Sequence, residues 1–255
     1  MIFLKYGKII SMGKIHLIKS KIEDLTGYYI HKKEDLPIGV SLKYDIEYKL
    51  KKIKIRTIFD VGANIGQTAI QCVKDFPGAN IYSFEPISKT FQTLASNTKK
   101  YPSVICKNIA FGDKPGEVEI NIFDDENSEL NSLVSSNMNL SENSKKEIIK
   151  VETIDQFIAE NNINEIDLLK IDTEGFEINV LNSAKQTFKE DKVKLVFIEV
   201  GLDNEFNKRH QNIVDIQLYL TQKNFVFVGM YDIAYALLPK KGHFANALYA
   251  NSNYL

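Results

Sequence analysis

The stretch that decides the fold is Thr57-Ile58-Phe59-Asp60-Val61-Gly62-Ala63-Asn64-Ile65-Gly66. It begins with β-branched and aromatic residues, which are typical of a buried strand, and its two glycines predict a tight turn. Asn64 is one of the few non-glycine residues that tolerate a left-handed backbone. A helical pattern follows directly and ends at Pro77-Gly78. A cofactor can approach the backbone closely at such a turn, and we expect Gly62, which has no Cβ, to leave room for it.

Two acids indicate which cofactor this turn suits. The dinucleotide fingerprint G-x-G-x-x-G needs a middle glycine that is missing here, so an NAD-dependent oxidoreductase is disfavoured. Asp60 precedes the turn and suits a cationic ligand such as the amino or sulfonium group of S-adenosylmethionine. Glu85 ends the next predicted strand, where a carboxylate accepts hydrogen bonds from ribose hydroxyls. The alternative is a Rossmann-like core that binds no nucleotide and has a chance pair of glycines.

The rest of the chain after Thr57 predicts an α/β fold. Strand patterns alternate with helix patterns, which is typical of a parallel sheet covered on both faces. Near-continuous apolar runs at Leu168–Ile171 and Leu195–Ile198 indicate strands that are buried on both sides. Phe225–Met230 and Ala247–Ala250 are predicted to complete the sheet.

Several blocks of the chain resemble the FkbM-type methyltransferases. They are residues 59–66, Phe84-Glu85-Pro86, residues 108–113, Thr153-Ile154-Asp155 and residues 166–175. The resemblance implies a Rossmann-like class I fold with a mostly parallel seven-stranded sheet, helices on both faces and an antiparallel last strand. It also implies S-adenosylmethionine as the cofactor and O-methylation of a sugar or a natural product. The full set of cofactor residues that we expect includes the two acids. It is Asp60, Gly62, Asn64, Gly66, Glu85, Asn108 and Ala110.

The predicted strand ends carry an acidic rim, and ligands of an open parallel sheet bind at that edge. With Asp60 and Glu85 assigned to the cofactor, the remaining acids are Asp172, Glu174 and Glu199. One of these carboxylates can take the proton of an acceptor hydroxyl; alternatively, Asp172 and Glu199 can hold Mg²⁺, which lowers the hydroxyl pKa. Glu174 equally suits a partner for the following helix dipole. For Lys170, inside a strand, we expect an ion pair with one of these acids.

Two further segments are candidates to overhang the rim. His243 lies in a predicted loop before the last strand, and the pKa of histidine suits a catalytic base, although loop histidines are more often plain surface. Residues 124–144 are long, polar and without strong periodicity, which is typical of either a lid or disorder. Family members carry a Ser-rich piece similar to residues 131–133, which favours a lid over the acceptor.

Composition limits the class and the compartment. With 255 residues, 44% hydrophobic and 25% charged, the chain is typical of a globular protein. Cys72 and Cys106 fit small core residues, and no secretory signal or membrane-spanning apolar run is recognisable, so we expect a cytoplasmic protein. No nucleic-acid-binding module is recognisable either.

The charge is unevenly distributed and suggests two domains. Residues 1–56 hold 13 Lys and Arg against 6 Asp and Glu, whereas the remainder holds 19 against 27. We therefore predict a basic N-terminal extension or cap (1–56) and a methyltransferase domain (57–255). The basic charge either forms a solvated face or contacts an acidic protein or an anionic membrane surface.

Together, these features predict an S-adenosylmethionine-dependent O-methyltransferase that acts on a sugar hydroxyl of a glycan or glycan precursor, as in polysaccharide biosynthesis. One alternative is a methyltransferase of a non-sugar natural product. The other is a non-catalytic nucleotide- or S-adenosylmethionine-binding partner subunit. The acidic rim disfavours that subunit, because a binding-only protein has no use for Asp172 and Glu199 together.

Overall fold

The computed structural model describes residues 4–5, 8–9, 12–123, 144–202, 211–234 and 244–255. The chain divides into two compact units, Met1–Pro37 and Ile38–Leu255. The first unit contains strands β1 (Leu4–Lys5) and β2 (Lys8–Ile9), which pair antiparallel, and helix α1 (Met12–Thr26). Within the described ranges, no helix is long and apolar enough to cross a membrane.

The second unit alternates strands and helices, as the sequence predicts. Its strands are β3 (Thr57–Val61), β4 (Asn80–Phe84), β5 (Val104–Lys107), β6 (Ala110–Phe111), β7 (Gly116–Phe123), β8 (Ser144–Glu152), β9 (Ile166–Ile171), β10 (Val193–Gly201), β11 (Phe225–Ala234) and β12 (Phe244–Asn251). Its helices are α2 (Leu42–Tyr44), α3 (Gln67–Asp75), α4 (Ser88–Thr98), α5 (Ile154–Glu160), α6 (Glu177–Asn182), α7 (Lys185–Lys189) and α8 (Ile213–Thr221).

Seven of these strands form one sheet in the order β11-β12-β10-β9-β3-β4-β5. Strands β3, β4, β5, β9 and β10 are parallel, whereas β12 runs antiparallel to both of its neighbours. This confirms the mostly parallel seven-stranded sheet with an antiparallel last strand. Strand β3 lies between β4 and β9, so the chain order reverses there, and a ligand is expected beyond the strand ends at that point.

The sheet is covered on both faces. Neighbouring strand residues such as Ile58 and Phe59 point to opposite sides, and each belongs to a different buried cluster. Phe59 belongs to a buried cluster that includes apolar residues of helices α5, α6 and α8. Ile58 belongs to a second cluster, on the other face, with Ala69 and Cys72 of helix α3. This places Cys72 in the core, as expected.

The second cluster also contains residues that precede the predicted domain boundary at 56/57. Ile46, Leu50 and Ile53 are buried in it. Nearby, the Tyr231 hydroxyl donates a 2.7 Å hydrogen bond to Asp45 Oδ2. Residues 38–56 therefore belong to the core of the second unit, which differs from the division predicted from charge.

A second sheet, in the order β6-β8-β7, lies between β5 and β9 in the chain. Strand β8 pairs antiparallel with β7 and parallel with β6. Its buried residues form a small core of their own with residues from the start of α4: Ile87, Ala110, Ile120, Ile149 and Val151. Of the predicted lid at 124–144, residues 124–143 lie outside the described residues, and Ser144 begins β8.

Candidate functional site

The glycine turn (residues 62–66) has the predicted left-handed backbone. The φ angles are 78° at Gly62, 48° at Asn64 and 95° at Gly66. A Cβ on Gly62 would lie 1.7 Å from the Asp172 carbonyl oxygen. The missing Cβ therefore makes room for the chain that follows β9. The room that we expected it to leave for a cofactor stays a prediction. A Cβ on Gly66 would lie 2.9 Å from Leu94 Cδ1, so this glycine allows helix α4 to pack closely.

A cavity of about 290 Å³ opens beyond the carboxyl ends of β3, β4 and β9. The predicted site residues that line it are Gly62, Asn64, Glu85, Ala110, Asp172 and Glu174. Four others do not line it: Asp60, Gly66, Asn108 and Glu199. His243 lies outside the described residues. Most of the acids predicted for this edge therefore do meet in one cavity, at the point where the strand order reverses.

Glu85 is a buried carboxylate held by the backbone on both sides. Its Oε2 accepts a 3.1 Å hydrogen bond from Asn64 N, and its Oε1 accepts a 3.0 Å bond from Ile87 N. Burial raises the pKa of Glu85 to about 7, although these two hydrogen bonds and Lys170 oppose the shift. Each oxygen keeps a further lone pair, so the carboxylate can also accept hydrogen bonds from a ligand.

Asn108 supports the end of strand β4. Its Nδ2 donates 2.8 Å hydrogen bonds to the carbonyl oxygens of Glu85 and Pro86. The side chain thus fixes the backbone that presents Glu85. The adenine contact that the resemblance implies stays a prediction. Ala110 does line the cavity, next to Ile109 and Phe111.

Asp60 lies behind the cavity and is fully buried. Its Oδ1 is 3.3 Å from Lys170 Nζ, and neither of its oxygens has a hydrogen-bond partner among the described residues. Burial raises the pKa of Asp60 and outweighs the opposing effect of Lys170. Asp60 therefore pairs with a cation of the protein and does not line the cavity. The role toward a cationic ligand that we expected from the sequence stays a prediction.

Lys170 is the cation in question, and it confirms the expected ion pair with an acid of the rim. Its Nζ is 3.2 Å from Asp172 Oδ2 in addition to its contact with Asp60. Burial alone would lower the pKa of Lys170, but the Asp172 and Asp60 carboxylates raise it above the ordinary value. The side chain therefore carries a positive charge between two carboxylates.

The acidic turn (residues 172–176) is shaped by Glu177, which is fully buried. Glu177 Oε1 accepts hydrogen bonds from Thr173 N (3.2 Å), Thr173 Oγ1 (3.2 Å) and Gly175 N (2.9 Å). Its Oε2 accepts a 3.2 Å bond from Gln211 N. These bonds hold Glu174 in a left-handed conformation, with a φ of 51°, on the wall of the cavity.

Three rim acids come close together. One carboxylate oxygen each of Asp172, Glu174 and Glu199 lies within 4.8 Å of the others. Carboxylate oxygens are ligands that hard divalent cations prefer, so the donor set fits Mg²⁺. The same group can instead take up a proton from an acceptor hydroxyl.

The sequence did not identify every residue of the cavity. The residues that it missed are Val61, Gln67, Phe84, Pro86, Ile87, Thr90, Ile109, Phe111, Ile120, Thr173 and Phe176. Gln67 and Thr173 directly follow the predicted site residues Gly66 and Asp172. Their neighbourhood in the chain was the signal that could have identified them as cavity residues. Ile120 comes from the second sheet, and no local pattern connects that sheet with the glycine turn.

Comparisons with known proteins give a family match over most of the chain. Residues 60–227, well over half of the chain, match the model of a family described as "Methyltransferase FkbM domain". The curated hexuronic acid methyltransferase AglP of Haloferax volcanii is 24% identical over 147 residues, which are 57% of this chain and 57% of that protein. The chain thus aligns with little more than half the length of this relative.

Solved structures of methyltransferases are similar at low sequence identity. The chain resembles TrmK of M. capricolum in complex with S-adenosyl-homocysteine at 11% identity, over 84% of this chain and 70% of that one, with a TM-score of 0.46. It resembles precorrin-6y C5,15-methyltransferase of Geobacter metallireducens at 10% identity, over 82% and 87%, with a TM-score of 0.44.

Proposed function

Because the chain belongs to the FkbM methyltransferase family, we propose that it is an S-adenosylmethionine-dependent O-methyltransferase whose acceptor is a sugar hydroxyl of a glycan or glycan precursor. The observation that carries the proposal is the cavity at the reversal of strand order. Buried Glu85 lines one side of it and the acids Asp172 and Glu174 line another. The choice of a sugar acceptor is supported by the relative whose printed name is hexuronic acid methyltransferase.

The residues of the cavity fit S-adenosylmethionine in their chemistry. Glu85 can accept hydrogen bonds from ribose hydroxyls, because both carboxylate oxygens keep unused lone pairs. Ile109, Ala110 and Phe111 supply an apolar wall for a flat base. The carboxylates of Asp172 and Glu174 favour a cationic group nearby. When bound, S-adenosylmethionine supplies an electrophilic methyl group.

The acceptor oxygen must lose its proton to become a good nucleophile, and the rim acids offer two ways to achieve this. Asp172 or Glu174 can accept the hydroxyl proton directly, since both line the cavity. Alternatively, the three clustered acids, including Glu199, can hold Mg²⁺ next to the hydroxyl and lower its pKa. Both ways place the acceptor at the acidic turn.

The direct test is methyl transfer from isotope-labelled S-adenosylmethionine to a panel of nucleotide sugars and oligosaccharides. We expect a product whose mass has increased by one CH₂ group. Asp172→Asn should lower kcat by about two to four orders of magnitude, the range for loss of a general base. The matched control is Glu119→Gln, which alters an exposed carboxylate paired with Lys146 on the second sheet. Transfer only to acceptors that are not sugars would contradict the sugar assignment.

A chelator distinguishes the two ways of activating the hydroxyl. If Mg²⁺ is held by the rim acids, a chelator should abolish transfer, and added Mg²⁺ or Mn²⁺ should restore it. If a carboxylate acts as the base, a metal-free preparation should keep its full rate. Measuring turnover before and after chelation, with S-adenosylmethionine binding as the control, separates these outcomes.

A further inference from the structure

We propose that Lys170 is a positioning residue that fastens the glycine turn to the acidic turn, so that one buried ammonium sets the geometry of both sides of the cavity. The inference rests on the proposed function, because it assigns the glycine turn to the cofactor and the acidic turn to the acceptor. It concerns a side chain that does not line the cavity.

The contacts of the Lys170 ammonium join two segments that are distant in the chain. Nζ donates a 3.3 Å hydrogen bond to the carbonyl oxygen of Gly62. It forms ion pairs with Asp60 Oδ1 at 3.3 Å and with Asp172 Oδ2 at 3.2 Å. The charged Nζ attracts both carboxylate oxygens at these distances, and one of its N–H groups donates to the Gly62 carbonyl oxygen. The glycine turn, strand β3 and the acidic turn therefore share one cation.

Strand register explains why the lysine reaches all three oxygens. Lys170 is the direct neighbour of Asp60 across the parallel pair β3 and β9. Asp172 comes two residues after Lys170, so both side chains leave the chain on the same side. The backbones also touch, because Asp172 N donates a 3.0 Å hydrogen bond to Val61 O. The ammonium thus lies where the two turns meet.

Asp60 supports this interpretation. Its carboxylate is fully buried and has no hydrogen-bond partner among the residues that the structure describes, so its ion pair with Lys170 is the interaction that offsets its burial. This buried acid holds the Lys170 ammonium in place from the side that faces away from the cavity. On the other side, Lys170 holds Asp172, which lines the cavity.

The chain contains a matched control at the opposite end of the same sheet. Lys194 on strand β10 also bridges two carboxylates, with Nζ 2.7 Å from Asp167 Oδ1 and 2.8 Å from Glu165 Oε1. Asp167 is fully buried, as Asp60 is. Neither Lys194 nor its partners line the cavity. Loss of Lys194 should therefore cost stability without changing the ligand site.

The first experiment compares Lys170→Met with Lys194→Met by thermal unfolding and by calorimetric titration with S-adenosylhomocysteine. We expect both variants to lose several degrees in Tm. Only Lys170→Met should bind the ligand about ten-fold or more weakly, and only there should the amide NMR signals of Gly62 and Ala63 shift. Equal loss of affinity in both variants, or unchanged affinity in Lys170→Met, would overturn the proposal.

A second pair of variants decides the matter if Lys170→Met does not fold. Asp60→Asn keeps the ammonium with its contacts to Gly62 and Asp172, whereas the double variant Lys170→Met/Asp60→Asn removes one cation and one anion together and leaves no uncompensated buried charge. The double variant should bind S-adenosylhomocysteine about ten-fold more weakly than Asp60→Asn. Equal affinities would assign the effect to Asp60 and refute the proposal. Wild-type protein that fails to bind S-adenosylhomocysteine would instead refute the proposed function.

Discussion

At the scale of single residues, Glu85 shows how burial and function act on the same carboxyl group. The sequence identified it from its place after the second strand of the pattern. Its two backbone hydrogen bonds and its pKa of about 7 depend on contacts across the fold and could not be predicted from sequence. The same holds for Glu177, whose four donors belong to the acidic turn and to Gln211, which precedes helix α8.

The raised pKa of Glu85 makes the stability of the unliganded protein depend on pH. Between its ordinary pKa of 4.5 and about 7, the folded state holds a proton that the unfolded chain has released. Stability from this group is therefore lost as the pH rises through that window, by up to roughly 3 kcal/mol. Urea unfolding of wild type and Glu85→Gln across the window should show a steeper decline in wild type, because Asp60, whose pKa is also raised, titrates in both. A parallel decline in both would assign it to other groups.

Cofactor binding should depend on the same group with the opposite sign. Ribose hydroxyls donate to the ionised carboxylate, so affinity for S-adenosylmethionine should rise with pH until Glu85 is fully ionised and then level off. Glu85→Gln should bind more weakly above pH 7 by about 1–3 kcal/mol, with no such rise. Calorimetry in buffers with different ionisation enthalpies should detect proton release in wild type. An affinity that does not change with pH would contradict the assigned role.

At the scale of elements, the sequence predicted those strands and helices whose own residues carry a clear pattern. Helix α8 begins after Asn212, whose side chain accepts a hydrogen bond from Val214 N. Strand β8 was not predicted, because its apolar residues do not alternate cleanly: Ile149 is buried, but Ile148 is 66% exposed. Helix α1 was also missed, since its charged and apolar residues show no strong helical stripe.

The residues Thr153-Ile154-Asp155-Gln156 predict a capping box at the start of α5, in which each end residue bonds the backbone of the other, and half of it forms. Thr153 Oγ1 accepts a 3.1 Å hydrogen bond from Gln156 N, as predicted. The Gln156 side chain does not return the bond to Thr153, because it donates to Glu160 Oε1 at 2.7 Å instead. A residue one helical turn further on thus competed successfully for the amide.

The close contact between the glycine turn and the acidic turn can be tested by substituting Gly62, with Gly78 as the control glycine. Gly62→Ala would place a Cβ against a backbone oxygen that cannot move aside, so we expect the variant not to fold or to lose more than about 4 kcal/mol. Gly78→Ala has a similar φ of 90° but open space around the new Cβ, and should lose only about 1–2 kcal/mol. Urea unfolding compares the two. Similar losses would mean that backbone strain, and not the contact, determines the effect.

At the scale of the whole molecule, the fold class followed from the sequence, because a buried parallel sheet leaves apolar runs that end in polar residues. The extent of the compact unit did not follow. Charge separates residues 1–56 from the rest, but the structure places Ile46 and Leu50 in the core under the sheet. Net charge reports on surface, whereas a folded unit is defined by what it buries.

Two truncations test where the folded unit begins. Removal of residues 1–37 should leave the core clusters of the second unit intact, with cooperative unfolding and S-adenosylhomocysteine binding preserved. Removal of residues 1–56 also takes away Ile46, Leu50 and Ile53, and should abolish folding. Ile46→Ala is the mild control, with an expected loss of about 2–5 kcal/mol in urea unfolding. A stable protein that lacks residues 1–56 would restore the boundary drawn from charge.

The second sheet has a consequence for how the sequence of such a protein can change during evolution. The second sheet begins with Ala110-Phe111 and ends with Val151-Glu152, and these two pairs are direct neighbours in register. The second sheet is thus a module whose entry and exit lie side by side, and its Ile120 contributes to the wall of the cavity. Such a module can be exchanged between relatives without rerouting the Rossmann core. The part of the cavity wall that Ile120 supplies can therefore change by grafting, while strands β3, β4 and β9 keep their order.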